Sequence, residues 1–325
     1  MERWLYRLGL LWVFAVLNAG AASVTENFSS SPSSSGWRVF GDASLFTWNS
    51  NAQHLEVTWD SSRGNSYFFH PLGTILGKDD EFSLSFDVRL TDISSGIAPD
   101  KPYTFQLALG FLHLATAANS NFVRGSGTQS PNLVEWNYFP AFLAFEPTIA
   151  QAIVSTNGQW LYDHENLLPM TTGDLFHVEM QFRNRTLTST ITRNGATYGS
   201  PQTIRLRVDD PDFRVDTVAV SSYSDGGQDP PYAGSILAHG IVDNIAWNVP
   251  DPPVTQITGR FDEDNWRVEF SARTNWIYVL ERTREFQNWR PVVTNAPLTD
   301  GPMSLTDSES AGETLRLYRV RAERP

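Results

Sequence analysis

Apolar and polar residues alternate with a period of two through most of this chain, and helical periodicity is nearly absent beyond its first residues. In FSLSFDVRL, Phe82, Leu84, Phe86, Val88 and Leu90 fall on one side, with Ser83, Ser85, Asp87 and Arg89 on the other. That pattern predicts an antiparallel strand buried on one face. HLEVTWD repeats it with Leu55, Val57 and Trp59, and FHVEMQF with Phe176, Val178, Met180 and Phe182. FQLALGFLHL is apolar on both sides, which predicts an interior strand covered on two faces. Turn residues punctuate these runs. Thr171-Thr172-Gly173-Asp174 introduces one strand, and Asn194-Gly195 predicts a hairpin because both central positions of that turn need positive φ. Many short strands spaced by such turns predict an all-β chain: a two-sheet antiparallel jelly-roll sandwich followed by a smaller β-sandwich.

The boundary between the two falls at VPDPPV, Val249 to Val254, where the prolines cannot donate to a ladder. The expected division is 1–22 as a leader, 23–250 as the large sandwich and 251–325 as a small accessory sandwich. The leader reading rests on Arg3 and Arg7, an apolar run from Leu8 to Leu17, and small residues from Ala19 to Ala22. These are the parts of a secretory signal peptide cleaved near Ala21 or Ala22. The apolar run is shorter than the ~20 residues a membrane span needs, and no later segment is long and apolar enough. The expected location is therefore secreted, periplasmic or cell-surface, with no membrane span after cleavage.

Composition narrows the partners. The chain has no cysteine, so no disulfide framework is available. A net charge of −12 without basic clusters argues against nucleic acid and anionic membranes, since neutralising phosphate requires Lys and Arg. Neutral polymers such as polysaccharides remain open. With 11 Trp, 20 Phe and 10 Tyr, aromatic side chains are numerous enough to fill a core and also supply a stacking surface. Trp37, Trp48 and Trp59 lie on alternating patterns and are assigned to the core.

The stretch NLVEWNYFP, Asn132 to Pro140, is the most informative for chemistry. Alternation puts Glu135 and Asn137 on one face of a strand, with Trp136 and Tyr138 on the other. Polar pairs of this kind on a β-sandwich strand are candidates for sugar or metal contact. No Gly-x-Ser-x-Gly elbow or phosphate-cradling loop is present, and His113, His164 and His177 lack the spacing of metal ligands.

By the run TTGDLFHVEMQFRNRTLTSTITRNG, the chain resembles the concanavalin A-like lectin/glucanase superfamily, which includes laminin G-like domains. The resemblance spans roughly Thr25 to Pro250 and implies a jelly-roll sandwich; hydrolases, lectins and adhesion modules all use that fold. Glucanases of this superfamily carry Glu-x-Asp-x-x-Glu on one strand. Here Glu135 matches the first position, Asn137 replaces the Asp, and Pro140 stands in place of the last Glu. Retaining hydrolysis needs two carboxyl groups ~5 Å apart, so this strand cannot supply both. A second acid would have to come from elsewhere, Glu146 or Asp163 for instance. Legume-type lectins carry a similar Val-Glu-aromatic-Asp strand that holds metal ions; the change to Asn137 removes a hard anionic ligand. Carbohydrate-binding sandwiches also place a structural Ca2+ between the chain's two ends, which here points to Glu26, Asn27 and Asp243. Alternation places Asp243 on the face of Ile241, Ile245 and Trp247, an acid among apolar neighbours.

After Val254, Tyr278 to Thr283, Asn288-Trp289 and Tyr318 to Val320 resemble a small β-domain often appended to secreted bacterial proteins, which implies an accessory role. For sugar contact the candidates are Glu135 and Asn137 on their strand, Trp160 and Tyr162 in NGQWLYDHE, and Asp225, Gln228, Asp229 and Tyr232 in SDGGQDPPY. The expected function is a secreted, non-catalytic, lectin-like carbohydrate-binding protein, with a structural Ca2+ and a polysaccharide or glycan as partner. An extracellular polysaccharide hydrolase or lyase on the same fold, and a structural or adhesive surface protein, are the alternatives.

Overall fold

A computed structural model describes residues 22–96, 105–124, 129–141, 146–228, 235–262, 265–285, 288–309 and 316–325, with only the backbone of residues 22 and 162–165. The strands in chain order begin with β1 (Ala22–Glu26), β2 (Arg38–Phe40), β3 (Phe46–Asn49), β4 (His54–Asp60), β5 (Ser66–Leu76), β6 (Phe82–Ser95) and β7 (Leu107–Leu112). After a single turn of helix, α1 (Leu114–Ala117), come β8 (Leu133–Phe139), β9 (Thr148–Val154), β10 (Trp160–Asn166), β11 (Phe176–Arg183), β12 (Thr186–Arg193), β13 (Ala196–Thr197), β14 (Gln202–Arg205), β15 (Val215–Ser222) and β16 (Ile236–Val249). The C-terminal region adds β17 (Thr255–Asp262), β18 (Asn265–Ala272), β19 (Ile277–Thr283), β20 (Arg290–Asn295), β21 (Gly301–Asp307) and β22 (Leu317–Glu323).

Two antiparallel sheets form the large sandwich. One runs β13-β12-β11-β6-β16-β4-β3, with β1 on β16 and β14 on β12; the other runs β10-β9-β8-β7-β15-β5-β2. Chain neighbours are far apart in several places, so the sheets close by crossovers between layers, as a jelly roll requires. The inward rows are those that alternation selects. Phe82, Leu84, Phe86, Val88 and Leu90 of β6 are buried, and Phe86 meets Trp136 of the facing sheet edge-on at 5.6 Å. β7 is buried on both faces, between β8 and β15. Trp37 and Trp59 are in the core, and half-buried Trp48 closes it by donating Nε1 to the Phe28 carbonyl. Asn194 and Gly195, at φ 52° and 82°, make the turn that returns β12 into β13.

One alternation fails, in β16. The ladder to β6 shifts between Asp243 and Ala246, where Asn244 takes φ 49°. This is a β-bulge, and one extra residue reverses which side chains point inward. Val242, Ile245 and Trp247 are buried, while Ile241 and Asp243 lie on the outer face. The expectation that Asp243 shares a face with Ile245 and Trp247 is corrected: period two holds only between bulges.

The C-terminal strands build a smaller β-sandwich from sheets β17-β18-β21 and β20-β19-β22. It closes over its own apolar cluster of Val268, Phe270, Trp276, Tyr278, Leu280 and Leu305. Its last residues reach back to the large sandwich. Arg324 donates to the buried Asp80 carboxylate at 2.6 Å, Arg214 donates to the Pro325 carbonyl at 2.7 Å, and Ile75 packs on the C-terminal cluster.

Candidate functional site

Register assigns the outer face of the sheet that contains β8. Glu135 lies opposite Gly110 of β7 and Ala152 of β9; Asn137 lies opposite Ala108 and Ala150. Across β7, Gly110 and Ala108 pair with Ala219 and Ser221 of β15. Side chains directly opposite one another share a face, so Glu135 and Asn137 rise from a floor of very small residues. Gly110 is required here because a Cβ would lie 2.5 Å from the Val134 carbonyl oxygen and 2.6 Å from Glu135 Cα.

Over this floor lies Arg124, a side chain absent from the sequence-derived candidates. Its guanidinium donates Nε to Glu135 at 3.1 Å and Nη2 to Asn137 Oδ1 at 3.3 Å. With the Gln106 amide oxygen turned toward it, the guanidinium also meets that oxygen at 3.0 and 3.2 Å. It also lies against two rings, with Trp160 at 4.7 Å and Tyr223 at 5.9 Å. Tyr223 donates its hydroxyl to the second Glu135 oxygen. Glu135, Arg124, Asn137, Tyr223 and Gln106 are all at most 2% exposed. The strand-face pair is therefore a covered, ion-paired cluster.

Burial sets the electrostatics. It pushes the Glu135 carboxyl above the ordinary carboxylate range, opposed by the charge of Arg124 and by hydrogen bonds from Tyr223 and Arg124. The phenols of Tyr67 and Tyr223 are held well above the usual range, first by burial and then by the Glu135 charge. Tyr67 stands edge-on to Tyr223 at 5.8 Å and donates to the Ala117 carbonyl, which ties α1 to the cluster.

Hydrogen bonds join the surrounding loops into one rim. Asn65 donates to the Phe122 carbonyl at 3.0 Å and accepts from the Ser224 amide at 2.8 Å. Ser61 donates to Asp225 at 2.8 Å, and Gln228 donates to the Ser224 carbonyl at 3.1 Å. The loop carrying Asp225 and Gln228 begins at Tyr223, and its Gly227 abuts Val123 beside Arg124. The tertiary structure thus gathers Glu135, Asn137, Trp160, Asp225 and Gln228 around one end of one sheet. Asp225 and Gln228 are themselves buried, and Trp160 is half-buried. The Tyr162 side chain, Asp229 and Tyr232 lie outside the described residues, as does the Asp163 side chain. Glu146 is exposed, with its carbonyl accepting from Thr148.

The proposed metal residues lie near one another, with Glu26 of β1 paired to Ile245 of β16 two positions from Asp243. Glu26 accepts from the Phe28 amide at 2.7 Å with one oxygen and from Ser35 at 2.5 Å with the other, and Asn27 accepts from the Ser29 amide. Asp243 accepts from the Asn244 amide at 2.7 Å. Its carboxyl is pushed up, first by burial, then by Asp87 and Glu26 against the favourable Asn244 bond. Asp87 itself is held by His177 at 2.6 Å and Asn244 at 2.8 Å. Among the described residues no group of three or more His, Asp or Glu side chains is arranged to hold a metal. Both Glu26 oxygens, the Asn27 amide oxygen and one Asp243 oxygen already accept from the chain's own donors, which leaves one uncommitted carboxylate oxygen among these residues against the ~6–8 oxygens that calcium takes.

The sequence contains a signal for the missed arginine. Arg124 is the sole arginine between Arg89 and Arg183, in a stretch otherwise rich in apolar strands. A cation there needs a buried acid, and Glu135 is the nearest acid on a strand. Nothing in spacing marks Tyr223 or Gln106.

No protein-family model matches the chain, and no curated protein matches it. Solved structures similar to it include peanut lectin with a 9-mer peptide, 16% identical, TM-score 0.42, covering 69% of this chain and 99% of that one. Another is the Lotus tetragonolobus seed lectin, 13% identical, TM-score 0.44, covering 71% and 100%. A third is lectin I from Ulex europaeus with the methyl glycoside of α-L-fucose, 14% identical, TM-score 0.43, covering 71% and 98%. At this level of identity residues cannot be mapped from one chain to another. The chemistry has to come from the side chains of this one.

Proposed function

We propose that this chain is an exported, non-catalytic carbohydrate-binding protein that holds its ligand at the loop-bearing end of the sheet carrying Glu135. The observation that carries the reading is that Trp160 and Tyr223 both lie against the Arg124 guanidinium, while the loop of Asp225 and Gln228 runs on from Tyr223 with its Gly227 against Val123. An aromatic face beside fixed amides and carboxylates is what a pyranose requires, since its C–H face stacks and its hydroxyls exchange hydrogen bonds. Glu135 acts beneath this rim as an anchor for Arg124. A nucleophile or general acid must touch the glycosidic bond, whereas both Glu135 oxygens are engaged and the residue is 1% exposed.

A glycan array followed by calorimetry on the best hit tests the reading. Trp160→Ala should weaken binding at least about tenfold, the scale of one stacked ring. Because the ring also packs on the core and on Arg124, Tm falls as well, and binding is compared well below the variant's own transition. Binding that survives this change overturns the placement. The hydrolase reading has one observation in its favour, the raised carboxyl of Glu135. Reducing ends released from any polysaccharide and lost in Glu135→Gln would replace binding with catalysis. Export is proposed on the leader pattern alone, and N-terminal sequencing of the extracellular protein should begin near residue 22.

A further inference from the structure

The small sandwich has two edges on each of its sheets, β17 and β21 on one, β20 and β22 on the other. An edge strand presents a row of backbone N–H and C=O groups to any passing strand, and proteins guard such edges with proline, charge or a bulge. Three of these edges are guarded. β20 carries Pro291, β21 carries Pro302, and β22 alternates Arg319, Arg321 and Glu323 along one side. β17, TQITGRFD, has neither proline nor lysine, and every residue after Thr255 is exposed. Its irregularity is confined to its start, where Gln256 takes φ 55° and the register to β18 shifts between Thr255 and Thr258. From Thr258 to Asp262 the ladder is regular. The strand's two charges are engaged within its own sheet, Arg260 with Glu269 at 2.9 Å and Asp262 with Arg267 at 3.5 Å.

The side chains along this edge are symmetric about Gly259. Gly259 pairs with Val268 and Phe261 with Trp266, which places them on the side of β18 that faces the apolar cluster. A Cβ at Gly259 would run into the Trp266 ring. Ile257 belongs to the same alternating row. Ile257 and Phe261, two positions to either side of Gly259, are 54% and 65% exposed, and Phe261 meets Trp266 edge-on at 5.1 Å. An antiparallel copy of the strand centred on Gly259 therefore sets each Ile257 opposite the other copy's Phe261. Thr258 then lies opposite Arg260, so no like charges meet. Centring on Arg260 would set arginine against arginine, and centring on Thr258 would set Ile257 against glycine. The favoured arrangement matches the same patch to itself, as a two-fold interface requires.

We propose that two copies of this chain associate by antiparallel pairing of β17 about Gly259, which joins two three-stranded sheets into one continuous sheet. The segment from Ile257 to Phe261 is a small contact, so the association is reversible and depends on concentration. It is independent of the site on the large sandwich. The test is sedimentation velocity of the full chain from about 10 to 500 µM, across which the wild type should pass from monomer toward dimer. Ile257→Lys and Phe261→Glu each act twice across the two-fold and should raise the dimer dissociation constant at least about fivefold. Combined as Ile257→Lys/Phe261→Glu, they set opposite charges across both contacts. The double variant should bind itself at least about threefold more tightly than either single variant at low ionic strength, with the gain reduced by salt. Both positions are exposed, and a thermal melt checks that each variant is folded. Ile257→Lys carries the test if loss of the ring contact to Trp266 unfolds Phe261→Glu. A monomer at every concentration, a dimer that Ile257→Lys leaves unweakened, or a folded double variant no tighter than the single ones overturns the proposal.

Discussion

Replacing Arg124 with methionine removes the cation that compensates Glu135 and keeps much of the apolar stem. Glu135 would retain the Tyr223 hydroxyl but lose the Nε contact at 3.1 Å, in a position 1% exposed to solvent. Breaking a buried ion pair from one side costs about 3–5 kcal/mol, because the remaining charge is left in a medium that solvates it poorly. In a sandwich of this size that corresponds to a fall in Tm of about 6–20 °C.

The variant also acquires a pH signature. Burial already raises the Glu135 carboxyl above 4.5, its ordinary value, and Arg124 opposes that rise. Without Arg124 it rises further. The native state then keeps a proton that the unfolded chain releases, so stability is full below pH 4.5 and declines as pH climbs toward the folded value. The slope in that window is about 1.4 kcal/mol per pH unit for one proton. Urea unfolding followed by tryptophan fluorescence at a series of pH values from 4.5 to 8 reads both effects, in Arg124→Met and in Arg124→Met/Glu135→Gln. The double variant should recover most of the loss, since a neutral amide can still accept from Tyr223. A loss below about 1 kcal/mol with no pH dependence would refute the buried-pair reasoning.

Three other outcomes are expected. Gly110→Ala should destabilise by about 1–3 kcal/mol by thermal melt, because its Cβ would meet backbone at 2.5 and 2.6 Å, neither of which can move independently of the ladder. Asp307 should make the C-terminal sandwich acid-sensitive: burial pushes its carboxyl up, but hydrogen bonds from Arg282, the Glu309 amide and Tyr318 hold it below 3.8. Its contribution is present above pH 3.8 and is lost as pH falls toward the folded value, so Asp307→Asn should flatten an acid melt followed at Trp266 and Trp276. Finally, EDTA should shift Tm by less than ~1 °C, because a bound structural ion would add stability in proportion to its occupancy; a larger fall would restore calcium at Glu26 and Asp243.

Local chemistry was sufficient for much of the architecture. Alternation in 82–90, 54–60 and 176–182 is a direct image of one buried face, because a strand has period two whatever surrounds it. Asn194-Gly195 specifies its turn through φ alone, and the double-faced apolar run at Leu107–Leu112 specifies an interior strand. The same logic correctly put Glu135 and Asn137 opposite Trp136. It failed at Asp243, since a bulge is a property of two strands fitting together, and Asn244 gives only a faint sign of it in sequence. What covers Glu135 was equally beyond it. Arg124 is brought over the carboxylate by a loop, Tyr223 by the end of a strand nearly ninety positions away, and Trp160 by a third element. Between bulges, which side chains share a face was legible in the sequence, because it follows from the backbone's own repeat. That this face is closed over an ion pair emerges on folding, because burial of a charge depends on residues that approach it from elsewhere in the chain.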